Sequence, residues 1–327
     1  ILGKPGDHET EINTIIKTHR LPLKFPKQVE EYAKKINKQI SKNEIEKRRD
    51  VRETLTFTID PEDAKDFDDA ISFKEIEKEI YEIGIHIADV GHYVEENSVL
   101  DKEAFNRATS IYLVDRVVPM LPEILSNKVC SLRPQEEKYT FSAIFKTNNR
   151  GEILEEWFGK TVIKSDMRFS YAEAQEIIET KKGNISKEIA LNNKSYEVAK
   201  EMVNAIVILN EIASTIREER KNQGSINFNK KEIKFKLDSL KNPIEVIFKE
   251  NKEANKLIEE FMLLANKKVA ELFKKTKKEP SVYRTHDVPD NEKLKVLKTI
   301  VKEFGYSLDI SSREGTSKTL NKLLKEV

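Results

Sequence analysis

Thr58-Ile59-Asp60-Pro61-Glu62-Asp63-Ala64-Lys65-Asp66-Phe67-Asp68-Asp69-Ala70 places six acidic side chains within the ten residues 60–69, with a single lysine among them. Phe57, Ile59, Phe67, Ala70, Ile71 and Phe73 interleave apolar groups with these acids, a pattern that predicts strand, turn and strand with the carboxylates held at the edge of a core. Two carboxylates about 5 Å apart repel by roughly 3 kcal/mol at an effective dielectric of about 20, so four converging ones either take up protons or hold a divalent cation. The spacing Asp60-x5-Asp66-x-Asp68-Asp69 fails the EF-hand pattern, because no glycine sits at the sharp turn and no closing glutamate follows at the required distance. A pair of magnesium ions is the expected occupant of such a cluster. A solvated acidic turn is the bland alternative, and the interleaved apolar residues speak against it.

Outward from this stretch, residues 54–165 are strand-rich, with strands expected at 54–59, 69–73, 80–87, 139–146 and 152–164 and a helix at 98–108. From 170 onward amphipathic helices are expected at 170–180, 187–221, 252–276 and 291–304, interrupted only by a strand pair near 226–236 and 243–249. Strands segregated from helices give an α+β class, a mixed or antiparallel sheet region followed by packed helices. Residues 1–25, rich in glycine and proline, read as an irregular entry, and 27–49 as a charged helix with little apolar face. The expected organisation is thus an N-terminal linker and surface helix over 1–49 and one domain over 50–327.

The 327 residues can bury a sizeable core; with 35% charged and 38% hydrophobic residues the chain reads as a soluble globular protein rather than a disordered one. No apolar run is long enough to span a bilayer and the first residues lack a secretion-signal pattern, so the cytoplasm is the expected compartment. Cys130 has no cysteine to pair with, and His8, His19, His86, His92 and His286 lack zinc-ligand spacing, which argues against a structural metal. A net charge of +1 is uninformative about nucleic acid, since a basic channel can be offset by acidic groups elsewhere.

Asp60-x5-Asp66-x-Asp68-Asp69, followed by Gly84-Ile85-His86-Ile87-Ala88-Asp89-Val90, resembles the catalytic domain of the ribonuclease II and ribonuclease R family. The resemblance continues in order through Ser110-Ile111-Tyr112-Leu113, Val118-Pro119-Met120-Leu121-Pro122, Leu125-Ser126-Asn127 with Cys130-Ser131-Leu132, Glu260-Phe261-Met262-Leu263-Leu264-Ala265-Asn266 and Tyr283-Arg284-Thr285-His286. It covers almost the whole chain and is closer to the bacterial ribonuclease R branch. It implies an RNB-type fold and processive, magnesium-dependent hydrolysis of RNA from its 3′ end to nucleoside 5′-monophosphates, in RNA degradation and processing. Relative to that family the cold-shock and C-terminal OB-type RNA-binding domains are not seen. The block Tyr-x-His-Phe-Thr-Ser-Pro-Ile-Arg-Arg-Tyr is also missing after His286, so a fragment with an incomplete catalytic domain is expected.

The resemblance makes Asp60, Asp66, Asp68 and Asp69 the Mg2+ ligands and Asp68 the residue whose loss abolishes chemistry while sparing RNA binding. It makes Tyr112 and Phe228 the stacking platforms for single-stranded RNA, and Tyr171 and Glu260 the residues that read ribose. The implied partner is the 3′ end of single-stranded RNA; partners in RNA degradation or at the ribosome are not readable. Taken alone, Tyr112 would be a half-buried strand aromatic and Glu260 an exposed helix residue. His86, between Ile85 and Ile87, reads as a hydrogen-bonded core histidine. The run Lys274, Lys275, Lys277 and Lys278 reads as a solvated helix end. An RNA-binding module without turnover and a general metal-dependent phosphoesterase or DNase are the competing functions.

Overall fold

The computed structural model describes residues 2–36, 39–226, 232–238, 242–276, 282–285 and 287–326. A seven-stranded sheet is its centre. Its strands are β1 (Arg49–Asp50), β2 (Thr56–Asp60), β3 (Asp69–Glu77) and β4 (Ile80–Ala88), then, after a hairpin formed by β5 (Ile111–Tyr112) and β6 (Val117–Val118), β7 (Glu137–Asn148), β8 (Ile153–Lys164) and β9 (Met167–Ser170). The order is β1-β8-β7-β4-β3-β2-β9, with parallel pairing of β1 to β8 and of β2 to β9 and antiparallel pairing elsewhere. The acidic run is the connection between β2 and β3, as its interleaved apolar residues predict: Asp60 closes one strand and Asp69 opens the next.

Period-2 alternation assigns the two faces of the sheet to two cores. Phe57, Ile59, Ile71, Ile83, Ile85, Ala143 and Phe145 face one side. They pack there against α5 (Tyr171–Thr180), α6 (Lys200–Asn222) and α7 (Glu253–Thr276). On the other side Ala70, Ala88 and Ile144 meet Val29, Leu100, Leu121, Leu125 and Leu132. Those residues come from α2 (Lys27–Lys35), α4 (Val99–Arg107) and the segment after β6, so the sheet is buried from both sides.

His86 is fully buried in the middle of the sheet. Its ring nitrogens lie 2.6 Å from Ser142 Oγ and 2.8 Å from Ser72 Oγ, and Ser142 Oγ lies 2.5 Å from Thr161 Oγ1, a hydrogen-bonded row across four strands. Burial pushes the imidazole down to about 3, so it stays neutral and structural. A Cβ at Gly84 would collide with Ser72 and His86, which is why that block needs glycine there.

The N-terminal segment differs from its sequence reading. Residues 8–18, expected to be irregular, form α1 (His8–Thr18) with Ile12 and Ile16 buried. Residues 27–49, expected as one charged helix, divide into α2 and the short α3 (Lys42–Ile45), and α2 buries Val29 and Ala33, four residues apart on one face. The expected helix at 187–221 begins only at Lys200, because the chain before it makes the small ladder β10 (Asn184–Ile185) with β11 (Tyr196–Glu197). The expected late strand pair is β12 (Glu232–Leu237) with β13 (Pro243–Lys249), and α8 (Asn291–Glu303) and α9 (Arg313–Glu326) follow.

Candidate active site

The backbone of the acidic connection is fixed at both ends. Arg168 Nη2 donates to Pro61 O at 2.8 Å and to Glu62 O at 2.9 Å. Further along, Phe67 N donates to Ser131 Oγ at 3.0 Å, Leu132 N to Phe67 O at 2.8 Å, and Ala88 N to Asp68 O at 2.9 Å. Phe67 is buried between these bonds, and its neighbours Asp66, Asp68 and Asp69 are carried at the end of the sheet where β4 finishes.

The four aspartates form an electrostatic chain. Asp60 is buried and its carboxyl is pushed up to about 7, first by burial and then by the charges of Asp69 and Asp68, with Thr58 and Arg168 opposing. Asp69 is pushed up to about 6 by burial and by Asp68; Asp68, exposed at the surface of the connection, is raised by desolvation and by Asp66. Asp60 Oδ2 is buried with no hydrogen-bond partner. An orphaned carboxylate oxygen inside a run of mutually repelling carboxylates lacks positive charge, and hard oxygen donors of this kind suit Mg2+, Mn2+ or Ca2+. Among the described residues no three His, Cys, Asp or Glu groups stand together so as to hold a metal ion, so the fit is one of donor type and charge.

A tyrosine flanks each end of this chain. Tyr112 Oη donates to Asp66 Oδ2 at 3.3 Å, and its ring is 68% exposed. The hairpin β5–β6 that carries it is held by α1: Arg116 in the turn pairs with Glu9 at 2.5 Å. At the other end Ser170 pairs with Asp60 in the sheet and caps α5 through a reciprocal bond with Glu173, so Tyr171 is the first helical residue. The Tyr171 hydroxyl is pushed up to about 12 by burial and by the charges of Asp69 and Asp60. The structure therefore links Asp60, Asp66, Asp68, Asp69, Tyr112 and Tyr171 pairwise along the end of the sheet, without gathering three of the carboxylates about one point among the described residues.

Glu260 is elsewhere, and the expectation of an exposed helix residue does not hold. It is 1% exposed and both its oxygens accept from Arg220, one of them from Nε at 3.1 Å. The pair borders a cavity of about 350 Å³ with Gly151, Glu152 and Ile153. Those residues lie at the β7–β8 turn, opposite the Ile80 end of β4, whereas Asp69 pairs with Ile87 at the other end. The strand rise over that length puts roughly 20 Å between the two places. Its neighbour Glu259 is the exposed member of the pair. Because Glu260 is buried and Arg220 supplies its compensating charge, Arg220→Met is expected to lower unfolding free energy by about 2–4 kcal/mol in denaturant titration. Phe228 and His286 lie outside the described residues, as do Lys277 and Lys278; Lys275 lies 3.5 Å from Glu156.

Sequence reasoning missed Arg168. Its only sequence signal is a basic residue in a short apolar segment, and its partners become visible only through the parallel register that sets it opposite Thr58.

A sequence model of the RNB domain matches residues 48–327. The chain belongs to the RNB family. Its relatives include DIS3-like exonuclease 2 of Schizosaccharomyces pombe, 42% identical over 84% of this chain and 29% of the relative. Ribonuclease R 2 of Lactococcus lactis is 37% identical over 96% of this chain and 46% of the relative. The solved structure of Mycoplasma genitalium RNase R in complex with ribose-methylated single-stranded RNA superposes with a TM-score of 0.86 at 29% identity, covering 98% of this chain and 49% of that one. The chain thus spans less than half of the length of each of these RNB proteins. Beside relatives named as ribonuclease R stands one named as inactive, the inactive exonuclease DIS3L2 of Arabidopsis thaliana, 33% identical over 87% of this chain. The α+β fold read from the sequence is the fold of this RNB domain.

Proposed function

We propose that this chain is a hydrolytic exoribonuclease unit that shortens single-stranded RNA processively from its 3′ end, with Mg2+ held by Asp60, Asp66, Asp68 and Asp69. The observation that carries the reading is the coupled row of four carboxylates at the sheet end, with one buried unpartnered oxygen and a tyrosine at each end. Divalent cations in such a place supply Lewis acidity at the phosphoryl oxygens and lower the pKa of water. The residues do the rest. Tyr112, tethered to Asp66, presents an exposed ring on which the 3′-terminal base stacks. Asp68, whose basicity is raised by desolvation and then by the charge of Asp66, orients the attacking water. Water oxygen adds to phosphorus and loses a proton to solvent, the bond from phosphorus to the 3′ oxygen breaks and that oxygen takes a proton from solvent, so the shortened RNA keeps a 3′-hydroxyl and the phosphate leaves on the 5′ oxygen of the released nucleotide. Tyr171, beside Asp60 and Asp69, is placed to contact the ribose whose 2′-hydroxyl separates RNA from DNA.

Residues 50–327 form the catalytic unit in this reading, and residues 1–49 an N-terminal segment packed on it. Phe228 is the second stacking platform. Among the described residues no helix is long and apolar enough to cross a membrane, and a cytoplasmic enzyme is the setting we propose.

Turnover of a 5′-labelled single-stranded RNA with Mg2+, beside a DNA of the same sequence, tests the reading: progressive shortening of the RNA alone is expected. RNA that is bound but not shortened would favour an RNA-binding module without turnover, a reading that the inactive relatives and the spread of the carboxylates keep in play. Tyr112→Ala should weaken the hold on the 3′-terminal base by about 1–3 kcal/mol and lengthen the final product. Gel analysis of the limit product checks this; an unchanged limit product would make Tyr112 a surface aromatic only.

A further inference from the structure

Arg168 meets the acidic connection at Pro61, Glu62 and Phe67. Its Nη2 holds Pro61 O and Glu62 O, the first two carbonyls after β2 ends, at 2.8 and 2.9 Å. Its guanidinium carbon lies 4.6 Å from the centre of the Phe67 ring, on the far side of the same connection. Its charge also acts on Asp60, and its Nε is buried without a hydrogen-bond partner. One planar cation therefore holds the connection at Pro61, Glu62 and Phe67, and its charge acts on the aspartate whose Oδ2 is likewise without a hydrogen-bond partner.

A run of acids cannot hold this shape unaided. Mutual repulsion drives the carboxylates apart, and after Asp60 the chain has left the sheet ladder that fixed its backbone. A guanidinium answers both needs, because its flat fork bonds two carbonyls, stacks on an aromatic face and stays charged at any working pH. We propose that Arg168 is a positioning residue for cation binding: it fixes the path of residues 61–67 so that Asp66, Asp68 and Asp69 are presented towards Asp60. This rests on the reading of the four aspartates as cation ligands. Lysine cannot replace it, since one ammonium offers neither the fork nor the stacking plane.

The test is Mn2+ binding by the full chain, read as loss of the free-ion paramagnetic resonance signal, for wild type, Arg168→Lys and Arg107→Lys. Arg107 uses the same device elsewhere, donating to Pro22 O, Lys24 O and Pro119 O and stacking 3.6 Å over Phe25, so its variant reports the cost of loosening a buried arginine as such. Arg168→Lys is expected to weaken Mn2+ affinity by about 10- to 100-fold, the range for residues that orient metal ligands, with Arg107→Lys within about twofold of wild type. Raising Mn2+ should then restore RNA hydrolysis by Arg168→Lys, a rescue that general unfolding would not permit. Equal affinity in wild type and Arg168→Lys would make Arg168 a structural brace and overturn the proposal alone. No Mn2+ binding by wild type would instead remove the cation reading of the aspartates, and this proposal with it. Should Arg168→Lys not fold, Phe67→Leu carries the test, because it removes the stacking face and keeps an apolar side chain: about threefold weaker binding is expected, and unchanged binding overturns the proposal.

Discussion

Asp68→Asn is expected to lower RNA hydrolysis by at least about a thousandfold while single-stranded RNA still binds. The substitution keeps the size of the side chain and the bond from Ala88 N to the residue 68 carbonyl, so the connection keeps its path. What it removes is a carboxylate whose proton affinity is raised by desolvation and then by the charge of Asp66, at the place where water and phosphate have to be organised. Loss of a central electrostatic contributor typically costs this much in turnover, and binding depends on stacking and backbone contacts that Asp68 does not make. Single-turnover rates and filter binding on the same preparation separate the two quantities. Near-normal turnover would take Asp68 out of the mechanism.

Chelation should abolish hydrolysis, and metal should also change the pH dependence of stability. Asp60 and Asp69 titrate at about 7 and about 6 in the folded protein against an ordinary aspartate value near 4, so the folded state binds protons that the unfolded chain does not. Their contribution to stability is complete below about pH 4 and is lost as pH rises through 6 and 7. His86 acts the other way: held down to about 3, it costs stability as pH falls below the ordinary histidine value of about 6.5. Asp60→Asn removes the part due to Asp60 and leaves those of Asp69 and His86. In chelator at pH 7.5 this variant is expected to melt a few degrees above wild type, with the difference vanishing near pH 4.5. Mg2+ should raise the melting temperature of wild type at pH 7.5 and leave Asp60→Asn nearly unmoved. A metal-free wild type whose melting temperature does not fall between pH 5.5 and 7.5 relative to Asp60→Asn would contradict the buried charge at Asp60.

The strands around the acidic run were legible because β-branched and aromatic residues crowd positions 56–59 and 70–73, as they do in strands buried on both faces, and the run itself marks where the sheet ends. Tyr112 was legible only through a family block, since an isolated Ile-Tyr pair carries no strand signal of its own. The first helix and the buried face of the second escaped because each offers only two buried positions, Ile12 with Ile16 and Val29 with Ala33, amid polar and charged residues. That omission matters for the site, because α1 is what braces the Tyr112 hairpin through Glu9 and Arg116. In Glu259-Glu260 two identical side chains sit side by side, and no local pattern says which one is buried; the answer comes from Arg220, forty residues earlier in the chain. Arg168 escaped for the same reason: its partners lie more than a hundred residues before it.

The most direct test of the central claim is the chemical identity of the first products released from a long, unstructured RNA incubated with the chain and Mg2+, separated by chromatography from the earliest time points. Nucleoside 5′-monophosphates from the 3′ end, appearing while most of the RNA is still nearly full length, are the predicted result. Internal fragments, 3′-monophosphates or equal release from DNA would contradict the assignment of these four aspartates to a 3′-end exoribonuclease.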